Sequence, residues 1–113
     1  MRVVFSFVFG LLLSSCATTN KYTPLKTLNS KLADCHLDVY MVTDQISKKY
    51  ETIGVFSVSD SGLSADCDLE NSIKANKTAA CKAGADAIKF TEVILPTGKS
   101  TCVQTQSNFL IYK

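Results

Sequence analysis

The stretch from Asp68 to Asp86 constrains the fold of this chain more than any other. Asp68 carries the short acceptor side chain that caps a helix N-terminus, and Gly84 is the residue type that ends a helix in a left-handed turn. A helix is therefore predicted from about Leu69 to Ala83. Leu69, Ile73, Ala80 and Ala83 fall near one face, while Lys74, Lys77 and Lys82 lie off it; Glu70 near the start and Lys82 near the end suit the helix dipole. Only Ala85-Asp86 separates Gly84 from the strand-like run Ala87 to Leu95, AIKFTEVIL. A connection that short makes the helix run antiparallel to the strand it feeds.

Strand patterns lie on both sides of this unit. Leu37, Val39 and Met41 alternate with Asp38 and Tyr40, the period of a strand with one buried face, over Leu37 to Val42. Tyr50 to Val58 (YETIGVFSV) is rich in β-branched and aromatic residues, and Gly54 within it marks a bulge or a close backbone approach. After the turn Pro96-Thr97-Gly98-Lys99, a last strand runs from Thr101 to Tyr112, with Val103, Thr105, Ser107, Phe109 and Ile111 on one face. The order is ββαββ. An α+β domain is expected, an antiparallel sheet of about four strands with one helix packed across a face.

The N-terminus carries a different signal. Arg2 is followed by the apolar run Val3 to Leu13 and then by Ser14-Ser15-Cys16, the pattern of a secretory signal with small residues before the cut. The run is well short of the ~20 apolar residues that span a bilayer, so cleavage is expected rather than retention. Leu13-Ser14-Ser15-Cys16 resembles the lipobox of bacterial lipoproteins, in which the Cys becomes the lipidated first residue. That reading divides the chain into a signal peptide over 1–15, a lipidated Cys16 with a tether over 16–33, and a domain over 34–113. Each buried methylene of an acyl chain contributes about 0.8 kcal/mol, and anchoring becomes stable once two chains are present. Ala17, in place of an Asp after the Cys, resembles the outer-membrane pattern rather than inner-membrane retention, with the domain facing the periplasm. Residues 17–33 are rich in Thr, Lys, Asn and Ser around Pro24 and read as a flexible tether; Leu25, Leu28 and Leu32 make a short helical turn the competing reading.

Charge and cysteine content bound the function. Without Arg2, eleven basic residues face ten acidic ones, which excludes a field strong enough for nucleic-acid binding. With Cys16 lipidated, Cys35, Cys67, Cys81 and Cys102 remain, and an even count in a small exported domain predicts two disulfides. Four cysteines allow three pairings.

Catalysis has little to work with. His36 is the sole histidine, and its neighbour Cys35 would project to the opposite face of a strand, so the two make a poor nucleophile and base pair. Asp66 and Asp68 flank Cys67 in the helix-entry loop, where capping and solvation explain them. Cys35, His36, Cys67 and Cys81 could supply metal ligands, but C-x-x-C and H-x-x-x-H spacings are missing. The expectation is a non-enzyme with no cofactor, no metal and no small-molecule substrate, a metal-binding or purely structural lipoprotein domain being the alternative.

The segments LDVY, YETIGVF and CKAGADAIKF, the loop with Cys67 and the last strand with Cys102 resemble the outer-membrane lipoprotein sensors of the Rcs envelope-stress phosphorelay. The Gly-Ala-Asp-Ala-Ile stretch is also similar to a small cytoplasmic family described as putative heavy-metal binding. The Rcs resemblance implies a signalling role without chemistry: a lipid-anchored module that engages outer-membrane barrels or their assembly proteins and reports to an inner-membrane regulator. It also implies a bridge between Cys67 and Cys102, in keeping with a helix start and a last strand that meet at one end of the domain. Cys35 then pairs with Cys81 by exclusion.

Overall fold

The computed structural model describes residues 19–59, 68–96 and 102–113. The signal peptide, Cys16, Asp66, Cys67 and the turn at 97–99 lie outside the described residues. The elements are β1 (Thr19–Pro24), β2 (Asp38–Tyr40), β3 (Tyr50–Ser59), α1 (Leu69–Ala83), β4 (Ala87–Ile94) and β5 (Gln104–Tyr112). They form an α+β fold in which the strands make one sheet of order β1-β3-β5-β4-β2.

The helix has the bounds its sequence predicts. Asp68 accepts a hydrogen bond from the Asn71 backbone N–H, and Gly84 sits in the left-handed region with φ 84°, its N–H turned back to the carbonyls of the last turn. A side chain at Gly84 would also collide with the chain that crosses there, since a Cβ would lie 2.5 Å from the Asn29 carbonyl oxygen.

Two expectations about the sheet are corrected. The first concerns the tether: residues 19–24 are an edge strand, paired antiparallel with β3 from Thr19 opposite Ser59 to Pro24 opposite Gly54. The seat for β1 is made by Gly54. A Cβ on Gly54 would fall 2.1 Å from the Tyr22 hydroxyl, so the missing side chain lets the Tyr22 ring lie over the sheet and stack on Phe109 at 5.3 Å. The register shift between Thr52 and Gly54 shows that the glycine also marks a bulge.

The second concerns an all-antiparallel sheet. β2 is only three residues long and pairs parallel with β4. β1 carries the chain to the end of the sheet where α1 stops and β4 starts, so β2 begins at that same end and runs with β4. Between β1 and β2 the chain is held by backbone bonds from Leu25 and Lys26 to the Ile53 carbonyl and from Lys31 to the Cys81 carbonyl.

The core lies between α1 and one face of the sheet, with Ile53, Phe56, Val58, Ala80, Ala85, Ile88, Phe90 and Phe109 all buried. Phe56 and Phe109 stack at 5.5 Å. Burying each such large apolar side chain contributes roughly 1.5–3 kcal/mol. The stripe of α1 that faces the sheet differs from the apolar pattern read in the sequence. Ser72, Asn76 and Ala80 are buried, while Ile73 and Ala83 pack at the margin. Ser72 and Asn76 are matched by β5: the Ser72 and Thr105 hydroxyls lie 2.7 Å apart, Ser107 donates to Asn76 Oδ1, and Asn76 Nδ2 donates to the Ser72 carbonyl at 2.8 Å. Each of these buried polar groups has a partner, which is the condition for tolerating them in a core.

Candidate functional site

The chemistry-bearing residues gather at the end of the sheet where α1 stops. Cys35 and Cys81 are joined there by a disulfide with Cα atoms 5.8 Å apart, tying the chain that enters β2 to the last turn of the helix. Cys81 is buried, so this bridge is part of the packed interior. Cys102, at the opposite end beside the start of β5, is buried and disulfide-bonded as well.

Next to the Cys35–Cys81 bridge, on the sheet face away from α1, Tyr112 donates its phenol hydrogen to Asp38 Oδ2 at 2.5 Å. The Tyr40 hydroxyl lies 2.9 Å from that of Tyr112, and His36 Nε2 is 3.1 Å from Asp38 Oδ1. Alternation explains the grouping. Val39 points to the core, so Asp38 and Tyr40 point away from it, and Tyr112 follows core-facing Ile111 on β5. The loop after β2 folds over the same face. Lys48 Nζ sits 4.4 Å from the centre of the Tyr112 ring, and Lys89 Nζ donates to the carbonyls of Met41, Val42 and Asp44.

Electrostatics divide these groups into donors and acceptors. The Tyr112 hydrogen bond, then that of His36, holds the Asp38 carboxyl below the usual carboxylate range. Burial, reinforced by the Asp38 carboxylate, drives the Tyr112 phenol far above its ordinary value. Burial pushes Asp86 up, but the Lys31 ammonium at 2.7 Å and the Tyr112 backbone N–H outweigh it and leave that carboxyl lowered. Near neutral pH the result is an ionised Asp38 held by a neutral phenol, a hydrogen-bonded clasp rather than a proton-transfer pair.

Both sulfurs of Cys35 and Cys81 are committed to their bridge, and His36 is 88% exposed at its side chain. Among the described residues no group of three or more His, Cys, Asp or Glu side chains is gathered to hold a metal. Among them, too, no helix is long and apolar enough to cross a membrane. Hollows of about 250 Å³ beside Tyr22, Pro24 and Leu28 and about 240 Å³ beside Lys31 and Thr78 are smaller than the ~300–1,000 Å³ of typical small-molecule sites. The clasp was missed in the sequence because its two halves are 74 residues apart. The only local hint was the outward alternation of Asp38 and Tyr40.

No protein-family model and no curated protein matches the sequence. Among solved structures the chain is similar to the Francisella virulence factor FvfA, with 18% sequence identity, a TM-score of 0.58, and coverage of 83% of this chain and 97% of that one. At that identity the likeness is one of fold.

Proposed function

We propose that this chain is an outer-membrane-anchored lipoprotein whose domain faces the periplasm and acts, without catalysis, as an interaction module in envelope-stress signalling of the Rcs kind. The observation that carries the reading is Leu13-Ser14-Ser15-Cys16 directly after a short apolar run. Support comes from the Cys35–Cys81 bridge and the disulfide-bonded Cys102, since such bonds persist in oxidising compartments. The segments that resemble the Rcs sensors fall in β2, β3 and the α1–β4 junction. Its partners are outer-membrane barrels or barrel-assembly proteins, and an inner-membrane regulator that must itself reach toward the outer membrane, because residues 19–24 are taken up in the sheet.

The test is replacement of the resident sensor in an Rcs-bearing bacterium that lacks it. This chain, expressed and labelled by radioactive palmitate, is expected to restore an Rcs-dependent reporter under envelope stress and to crosslink to a barrel or an assembly factor. Labelled protein that does neither would sink the signalling role and leave a structural lipoprotein.

A further inference from the structure

We infer that one end of the sheet, marked by Ile94 and Leu95, lies against the lipid headgroups, so that the domain docks on the bilayer in a single orientation. The inference rests on the lipid-anchor reading of Cys16 and takes it further. β1 starts at Thr19, three residues after Cys16, and three residues reach at most about 11 Å. That is comparable to the thickness of the headgroup region, so the first residue of the sheet is held at the membrane surface. A free tether over 16–33 would have reached roughly 60 Å and left the domain unoriented.

Strand register identifies which end is held. Thr19 pairs with Ser59, Val58 with Thr105, and Ile94 with Gln104, so the start of β1 and the end of β4 lie at one end. Leu95 follows there with 62% of its surface exposed, and Ile94 is 41% exposed. Two exposed branched apolar side chains at the same end of the sheet as the start of β1, three strand spacings or about 14 Å across from it, are the elements of interfacial binding, in which affinity grows with the apolar area inserted. The helix also begins at this end, as the Ser72 contact to Thr105 requires, and it brings Asp68 and Glu70 nearby. Their charges keep the contact shallow. The disulfide Cys35–Cys81 and the Asp38–Tyr112 clasp sit at the other end, roughly 30 Å away along the ten residues of β3. They face the periplasmic space.

The chain contains no tryptophan, which allows a clean test. Leu95→Trp and Leu32→Trp replace two exposed leucines, the second at the far end where Lys31 meets the Cys81 carbonyl. Each lipidated full-length protein is reconstituted on vesicles of phosphatidylethanolamine and phosphatidylglycerol carrying a nitroxide on the headgroup. Fluorescence at position 95 is expected to shift to the blue and be quenched several-fold more than at position 32. Protein that sediments with the vesicles but shows equal quenching at both positions, or more at 32, overturns the orientation while the anchor stands. Protein that carries no acyl label and does not sediment overturns both.

Discussion

Tyr112, in the last strand, donates its phenol hydrogen to Asp38, in the short parallel strand β2, across 74 residues of chain. β2 contributes only three residues of ladder, the short end of the usual range for a strand. The clasp and the disulfide a few residues earlier tie this short edge strand to β5 and to α1 as well.

Replacing Tyr112 by Phe is expected to lower the urea midpoint and to raise the Asp38 pKa toward the usual carboxylate range, because the largest cause of its depression is that hydrogen bond. Carboxyl-carbon NMR titration reads the second effect; an unmoved Asp38 would show that the phenol does not hold it.

The pH dependence follows from the same groups. Asp38, Glu51 and Asp86 all have lowered values in the folded chain, so their contribution is present above the unfolded carboxylate value of about 4 and is lost as pH falls through their folded values. Tyr112 is raised, so its contribution is present below the unfolded phenol value of about 10 and fades as pH climbs toward the folded one. Thermal melts should show stability dropping below pH 4. Absorbance at tyrosinate wavelengths should show a phenol that ionises only in strong base and disappears in Tyr112→Phe.

Asn76→Ala should destabilise the domain by about 2–3 kcal/mol. It leaves a cavity under α1 and strips the buried Ser107 hydroxyl of its acceptor. The paired change Ser72→Ala with Thr105→Val removes both members of the neighbouring contact and is expected to cost less than Asn76→Ala. Denaturant unfolding compares the two.

Gly54→Ala places a methyl where the Tyr22 ring lies and is expected to loosen β1, raising amide exchange over residues 20–23 above that of β3 and β5. Unchanged protection there would mean that Tyr22 has room to move aside without releasing the strand.

Removal of the Cys35–Cys81 bridge as the double serine variant should cost roughly 4 kcal/mol on the chain-entropy account, given its separation of 46 residues. Peptide mapping of the oxidised, unreduced protein is expected to show this bridge together with Cys67 linked to Cys102; a Cys67–Cys81 peptide would contradict both assignments.

What the sequence determined by itself was everything decided within a few residues. Asp68 and Gly84 bound α1 because capping is a local hydrogen-bonding and steric matter, strand-like composition located β3 and β4, and alternation located β2 and the one-faced run of β5. Thr19–Pro24 could not be recognised as a strand from its own residues, since Tyr22 is its one large apolar side chain and its place in the sheet depends on the gap left by Gly54, thirty residues on. The parallel direction of β2 likewise follows from the end at which β1 delivers the chain. Burial of Ser72 and Asn76 depends on meeting Thr105 and Ser107, and the Asp38–Tyr112 clasp depends on β4 and β5 lying side by side. Those choices belong to the tertiary structure because a polar side chain carries no mark of its partner until the sheet order brings the two together.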